Sequence, residues 1–189
     1  MDFAVLYGSV RTERQGNRVA LYITSELLAR GHRATLVDPM IYNLPLLDRM
    51  YKEYKGDAPT PLEELAALYH NVDGFVIVSG EYNHGIPPAL KNLLDHFLEE
   101  YFWRPSGIVS YSAGGFGGVR AAMQLRMTLA GLGMPSISSI LPFGRIGAAF
   151  SEDGIPQDDA VGPRTKRFLD EFEWYARALA AERAKGTPY

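Results

Sequence analysis

Two polar segments whose side chains can bind a ligand each follow an apolar run of the chain. The first spans residues 8–17 and directly precedes a helix-like stretch, where free backbone N–H groups favour an anion. Ser9 adds a hydroxyl donor, and Arg11 can neutralise charge with a bidentate fork. Gln15 and Asn17 add amide donors. The segment lacks the Gly-Lys-Ser/Thr ending of a P-loop, so we predict phosphate binding without Mg-nucleotide hydrolysis. It also lacks the G-x-G-x-x-G spacing of a dinucleotide-binding loop. The alternative is an ordinary polar loop with a surface arginine.

The second polar segment, Glu81–Gly85, lies between a strand-like apolar run and a stretch that begins with two prolines. Its peptide groups can meet the pyrimidine edge of an isoalloxazine, which carries both donors and acceptors. The Asn83 side chain can serve the ribityl or phosphate end of such a ligand, and Tyr82 can pack beside the ring. The alternatives are that Glu81 caps the next helix and that His84 faces solvent.

A third segment, Ser112–Arg120, carries four glycines within five positions. This indicates backbone that passes close to something flat or adopts unusual φ values, the alternative being a flexible turn. All three segments follow predicted strands, and the carboxyl ends of parallel strands face one crevice. A phosphate loop beside a loop suited to a planar, amide-bearing ring indicates a flavin nucleotide. We expect Arg14 and Arg18 to lie in solvent, the alternative being that either contacts a nucleotide. We expect Arg120 to be a salt-bridged helix residue, the alternative being a contact with a nicotinamide phosphate.

Strand-like and helix-like segments alternate along the chain. This predicts an α/β fold, a flavodoxin-like three-layer sandwich with a five-stranded parallel sheet in the order 2-1-3-4-5 and helices on both faces. The predicted strands are Asp2–Tyr7, Arg33–Asp38, Gly74–Ser79, Gly107–Tyr111 and Pro135–Leu141. The predicted helices are Asn17–Arg30, 60–70, 88–101, Gly118–Leu132 and 162–185. We also predict a C-terminal glycine cap at Gly31, a capping box at Thr60–Glu63 and a loop over Pro142–Val161.

The composition is that of an ordinary globular protein and excludes several other classes. With 189 residues, we expect a single domain over residues 1–189. The net charge of −3 gives no electrostatic footprint for nucleic acid or an acidic membrane. The absence of cysteine excludes disulfides, thiol redox chemistry and thiolate metal sites, and we predict no metal site. No signal peptide and no bilayer-length apolar run is visible, so a cytoplasmic location is expected.

Together the three segments resemble the NADPH-dependent FMN reductase family, which has a flavodoxin-like fold and includes quinone, azo-dye and chromate reductases. The matching pieces are Gly8–Arg11 with Asn17, Glu81–Asn83 with Pro87 and Leu90–Asp95, and Ser112–Arg120. The chain departs from the family pattern at Gly80, where proline is usual, at Gln15 and Gly16, where serine or threonine is common, and at His96, where an aromatic residue is frequent. The resemblance implies that FMN is held by the phosphate residues Ser9, Arg11, Gln15, Gly16 and Asn17, and by the ring and ribityl residues Glu81, Tyr82, Asn83, His84, Ser112, Ala113, Gly114 and Gly115.

The resemblance implies hydride transfer from NADPH or NADH through flavin N5 to FMN, a quinone, an azo compound or a similar small acceptor. No catalytic side chain is predicted, because the cofactor carries the chemistry. A homodimer or homotetramer is implied, with Tyr42, Tyr51 and the Tyr101–Trp103 cluster as interface candidates; intrachain packing is the alternative for that cluster. Two other functions stay open: a flavodoxin-like electron carrier not reduced directly by NAD(P)H, and a non-catalytic nucleotide-binding protein.

Overall fold

Five parallel strands form one sheet in the order β2-β1-β3-β4-β5, which confirms the predicted topology. The computed structural model describes all residues from 1 to 189. The strands are β1 (Asp2–Tyr7), β2 (Arg33–Val37), β3 (Gly74–Ser79), β4 (Ser106–Tyr111) and β5 (Ser136–Phe143). Every residue of β3 and β4 is buried, because helices cover both faces of the sheet.

The helices lie in two layers that each bury a separate hydrophobic core. They are α1 (Asn17–Ala29), α2 (Pro39–Tyr42), α3 (Thr60–Asn71), α4 (Pro88–Asp95), α5 (Val119–Gly131), α6 (Ile146–Ala149) and α7 (Val161–Arg183), with 3-10 turns at Tyr51–Tyr54 and Glu99–Tyr101. Helices α1 and α7 pack on one face of the sheet, and α3, α4 and α5 pack on the other. Along β1, Phe3 and Val5 face the first layer while Ala4 and Leu6 face the second. No helix of the protein is both long enough and apolar enough to span a membrane.

Several predicted boundaries were right because short-range signals set them. The glycine cap after α1 is confirmed: Gly31 has φ +81°, its N–H donates to Leu28 O, and the N–H of His32 donates to Leu27 O. The predicted capping box at Thr60–Glu63 is wrong, because α3 has no side-chain cap. Glu63 instead accepts hydrogen bonds from the Tyr51 hydroxyl at 2.8 Å and from the Ala58 N–H at 3.3 Å.

Two longer elements differ from the expectation. The helix that begins at Pro88 ends at Asp95 rather than at Tyr101, and the Leu98 N–H is taken by the Glu100 carboxylate at 3.1 Å. Strand β5 runs on to Phe143, pairing with Tyr111 of β4, and α6 follows inside the segment expected to be a loop. Pro142 is tolerated in β5 because this is an edge strand, where a missing N–H leaves no ladder partner unsatisfied.

The tyrosines considered as interface candidates pack inside their own chain. Tyr101 is fully buried, with ring centroids 5.4 Å from Tyr69 and 6.2 Å from Phe97, so for this residue the intrachain alternative is correct. Tyr42 and Tyr51 are partly buried against the core beneath α3 and α4. Phe102 and Trp103 contact Tyr189 of the C-terminal segment, with ring centroids 5.8 and 4.9 Å away.

Candidate functional site

The three polar loops meet in one cleft at the carboxyl edge of the sheet. They follow β1, β3 and β4, which are neighbours in the sheet, so their loops emerge side by side. The cleft has a volume of about 320 Å³. Of the predicted site residues it is lined by Ser9, Arg11, Gln15, Glu81, Tyr82, Ser112 and Ala113. It is also lined by residues that the sequence reasoning had not assigned to it, namely Thr12, Glu13, Arg14, Gly80, Tyr111 and Ile146.

The first loop presents a run of unpaired backbone donors. None of the N–H groups from Thr12 to Asn17 donates a hydrogen bond within the chain, and the first N–H that does so is that of Arg18, to Gln15 O at 3.3 Å. Helix α1 begins at Asn17 with no side-chain cap and no acidic residue in its first turn. Six free donors at the positive end of a helix suit an anion.

Arg14 holds this loop in place rather than lying in solvent, so the expectation for it was wrong. Its guanidinium pairs with both carboxylate oxygens of Asp38, at 2.6 Å to Oδ1, and donates to Ser9 O at 2.8 Å. The hydrogen-bonded Asp38 carboxylate raises the pKa of Arg14 above its usual value. Arg18 is likewise not solvated, because it donates to the carbonyls of Gly147 and Phe150 at 3.1 and 2.9 Å.

Arg11 is the arginine of the cleft that has no carboxylate partner. Its guanidinium carbon lies 5.8 Å from the centroid of the Tyr82 ring, within the range of a cation–π contact. The nearby Ser9 hydroxyl is buried, shares a 2.9 Å hydrogen bond with the Tyr82 hydroxyl and accepts the Arg11 N–H at 3.4 Å. The positive charge of Arg11 is therefore available to an anion bound on the loop.

The Glu81 side chain caps a helix, as the alternative interpretation had it, although the helix is α5 and not the next one along the chain. Its Oε2 accepts the N–H groups of Arg120 and Ala121 at 3.0 and 3.2 Å, and its Oε1 lies 3.4 Å from Arg120 Nη1. The predicted salt bridge of Arg120 is thus confirmed. Because its carboxylate is engaged, Glu81 can contact a ligand only through its backbone.

Asn83 and His84 lie at the exposed tip of a tight turn and do not line the cleft. The Tyr82 N–H donates to Gly85 O at 3.1 Å, and the Gly85 N–H donates back to Tyr82 O at 2.9 Å. Both central residues have positive φ, +48° and +67°, as in the two-residue turns that close hairpins. The solvent-facing alternative therefore describes the His84 side chain, and the Asn83 side chain is not brought to the other loops.

The glycine-rich loop after β4 is tied to itself by Ser112. The Ser112 hydroxyl donates to Gly114 O at 2.8 Å and accepts the Gly117 N–H at 2.9 Å. Gly117 and Gly118 have φ of +66° and +72°, so the prediction of unusual φ values is confirmed for these two. A side chain on Gly114 or on Gly115 would meet open space, and both lie outside the lining of the cleft. The N–H groups from Ala113 to Phe116 donate no hydrogen bond within the chain.

Tyr111 forms part of the floor of the cleft and was missed because it reads as the last residue of a strand. It is 8% exposed, and its ring centroid lies 6.5 Å from that of Tyr7, which ends β1. The Tyr7 hydroxyl is buried without a hydrogen-bond partner. A usable signal was present: two strands whose loops were assigned to a ligand both end in a residue with a phenolic hydroxyl.

The residues present fit a flavin nucleotide. The first loop offers six N–H donors, the Ser9 hydroxyl and the Arg11 charge, which suit a phosphate. The other two loops offer peptide groups to the same cleft. A larger cleft of about 470 Å³ lies between α2 and α4, but its lining is mostly apolar and contains no charged residue, so it does not suit a phosphate.

Comparisons with known proteins agree with this geometry. A family model described as NADPH-dependent FMN reductase matches residues 1–146. An NAD(P)H-dependent FMN reductase from Saccharomyces cerevisiae is 30% identical over 173 residues, which are 83% of this chain and 88% of that protein. A quinone reductase from Pseudomonas putida is 30% identical over 177 residues, 89% of this chain and 91% of that protein.

Solved structures show the same fold. The flavoenzyme NAD(P)H:(acceptor) oxidoreductase from Paracoccus denitrificans superposes with a TM-score of 0.79 at 21% identity, covering 94% of this chain and 98% of that one. At this identity the superposition bears on the fold alone, whereas the family model and the two relatives bear on the family. The chain belongs to the NADPH-dependent FMN reductase family.

Proposed function

We propose that residues 1–189 act as a single FMN-binding domain, with the cofactor in the cleft between the three loops. The unpaired N–H groups from Thr12 to Asn17 carry this proposal, because six free donors beside the Ser9 hydroxyl suit an anion with several acceptor oxygens. The phosphate lies on this loop with Gln15, and Arg11 supplies the charge. The ring and ribityl lie against the backbone of Glu81–Tyr82 and of Ser112–Gly115.

As a member of its family, the protein is an NAD(P)H-dependent FMN oxidoreductase. Bound FMN supplies the hydride chemistry, and the protein binds and orients the reactants. Among the side chains of the cleft, Glu81 is engaged as a helix cap and Arg14 is paired with Asp38. Burial raises the pKa of the Tyr111 phenol far above its usual value, so this group remains protonated. These contacts argue against Glu81, Arg14 and Tyr111 as the acid or base of the reaction.

We propose further that the electron acceptor is a small molecule of the quinone type and that the protein works as a cytoplasmic homo-oligomer. The name of the Pseudomonas putida relative supports the acceptor class. An apolar surface supports self-association: Val10, Met40 and Leu46 are between 50 and 84% exposed and line one shared cleft, and Val10 belongs to the first loop. A homodimer or homotetramer would cover this surface.

The test is an anaerobic visible spectrum of the purified protein with one equivalent of FMN, recorded before and after addition of NADPH or NADH. We expect a protein-bound flavin band that bleaches with at least one of the two. A bound flavin that neither nucleotide reduces would replace the proposal with an electron carrier. No binding of FMN would overturn the assignment of the cleft itself.

A matched pair of arginine variants sharpens this test. Arg11→Gln removes the unpaired charge of the first loop, and we expect the dissociation constant for FMN to rise about tenfold. Arg49→Gln is the control, because Arg49 is an exposed arginine outside the cleft that lies 3.9 Å from the also exposed carboxylate of Asp48. Equal FMN affinity in the two variants would contradict the placement of the phosphate on the first loop.

A further inference from the structure

One residue, Tyr111, contacts a glycine from each of the three loops. A Cβ added to Gly16 of the first loop would overlap the hydroxyl end of the Tyr111 ring. A Cβ added to Gly80, just before the second loop, would lie 3.1 Å from both Cζ and Oη of Tyr111. Gly118 of the third loop has positive φ, and its Cβ would lie 2.6 Å from the Tyr111 carbonyl oxygen. The spacing of the loops is therefore set by the phenol and backbone of one residue.

The position of the Tyr111 ring explains why glycine is suitable at position 80. At 3.1 Å, a Cβ atom on residue 80 would be closer to the phenol than in nine of ten real Cβ contacts, so the ring would have to shift by a few tenths of an ångström. The Tyr111 ring occupies the space that a larger residue 80 would need. Glycine at position 80 and tyrosine at position 111 are thus a matched pair in this protein.

The Tyr111 hydroxyl is also a hydrogen-bond donor within the cleft. The ring lines the cleft, and the hydroxyls of Tyr7 and Ser9 are its polar neighbours. Ser9 belongs to the loop whose free N–H groups suit the phosphate, so the Tyr111 hydroxyl lies on the phosphate side of the floor. A neutral O–H donor is compatible with a phosphate, whose oxygens are strong acceptors.

We propose that Tyr111 is the residue that positions the three loops relative to one another and that its hydroxyl donates a hydrogen bond to the phosphate end of the bound flavin nucleotide. This inference rests on the proposed function for its second half. Its first half, the packing of the loops on the phenol, holds for the protein without any ligand and has its own test.

The hydrogen bond is tested with Tyr111→Phe, which keeps the ring and removes the donor. We expect the dissociation constant for FMN, followed by quenching of flavin fluorescence, to rise about tenfold or more. The dissociation constant for riboflavin is expected to change by less than about twofold, because riboflavin lacks the phosphate that accepts this hydrogen bond. Tyr22→Phe is the control, because Tyr22 is a buried tyrosine of α1 outside the cleft. Unchanged FMN affinity, or an equal loss for riboflavin, would overturn the assignment of this donor.

The packing is tested on the apoprotein by thermal unfolding. Gly16→Ala is expected to lower Tm by several degrees, because the new methyl group overlaps the phenol, whereas Gly114→Ala is expected to change Tm by less than about 1 °C. Tyr111→Leu removes the atoms that the new methyl group would overlap. The double variant Gly16→Ala/Tyr111→Leu is therefore expected to have a higher Tm than Tyr111→Leu alone. Equal effects of the two glycine variants, or no coupling between positions 16 and 111, would overturn the positioning role.

FMN affinity and Tm together distinguish a failure of the proposed function from a failure of the role of Tyr111. If the unaltered protein binds no FMN, the proposed function is wrong, and the coupling in Tm still decides whether Tyr111 positions the loops. If Tyr111→Leu does not fold, the comparison of Gly16→Ala with Gly114→Ala decides the packing, and Tyr111→Phe decides the hydrogen bond.

Discussion

The ion pair between Arg14 and Asp38 is expected to be one of the main stabilising contacts of the first loop. The pair is bidentate, and its side chains are 19% and 11% exposed. Arg14 also holds Ser9 O at 2.8 Å, and Asp38 accepts the Met40 N–H at 2.9 Å at the start of α2. Removing either partner therefore leaves a largely buried charge and frees one further backbone group, Ser9 O for Arg14 or the Met40 N–H for Asp38.

The magnitude follows from this burial. Breaking a fully buried pair costs about 3–5 kcal/mol, and an exposed pair contributes about 0–1 kcal/mol. Because the Arg14–Asp38 pair lies near the buried limit, we expect Arg14→Ala and Asp38→Ala each to lower the free energy of unfolding by about 2–3 kcal/mol. In the double variant the two losses should not add, and a coupling energy of about 1–2 kcal/mol is expected.

The assay is urea unfolding of the apoprotein at pH 7, with the slope of free energy against urea checked for constancy among variants. Lys166→Ala is the matched control, since Lys166 pairs with Asp170 at 2.7 Å but the two side chains are 72% and 48% exposed. We expect this control to lose at most about 0.5 kcal/mol. If Arg14→Ala costs no more than Lys166→Ala, Arg14 does not hold the loop, and the reasoning from its burial is refuted.

Three further outcomes are expected. Glu81→Gln weakens the cap of α5 and should lower the free energy of unfolding by about 1 kcal/mol in urea; an unchanged midpoint would contradict the capping role. Phe97→Ala should cost about 3–4 kcal/mol, since this ring is fully buried, and a loss below about 1 kcal/mol would contradict its packing. Burial alone would raise the pKa of Glu173, but the hydrogen bond from Arg30 and the neighbouring His32, whose Nε2 lies 3.3 Å from Glu173 Oε1, hold it below its usual value of 4.5. The stabilisation it contributes is full above pH 4.5 and is lost as the pH falls through the lowered pKa, so urea midpoints between pH 6 and pH 3 should fall less steeply for Glu173→Gln.

Local sequence patterns were sufficient for the sheet and for most helices. Strands such as Gly74–Ser79 are continuous apolar runs, which is the pattern of a strand covered on both faces. Gly31 marked the end of α1 because few other residues adopt its positive φ without strain. The polar segments after β1, β3 and β4 were placed in one crevice because parallel strands share a carboxyl edge.

Local patterns were insufficient where a side chain interacts with a residue outside its own element instead of the partner that the pattern predicts. The Thr60–Glu63 spacing is that of a capping box, but Glu63 turns to Tyr51 and Ala58 in the preceding segment. The apolar period after Pro88 continues to Tyr101, but these later side chains are held by the aromatic cluster around Tyr69 and the helix ends at Asp95. Tertiary packing decides between such partners, and the local hydrophobic periodicity of the sequence does not reveal the outcome.

The sequence by itself determined the order of the strands, the three loops that form the cleft and the chemistry that their donors can support. The tertiary structure alone decided what each side chain in the cleft does. Arg14 finds Asp38 at a separation of 24 residues, and Glu81 finds the start of α5 at a separation of 39. Tyr111 is brought against loops that follow two other strands. The residue type fixes which hydrogen bonds a side chain can make. Which partner it finds depends on which loops the sheet brings together in space.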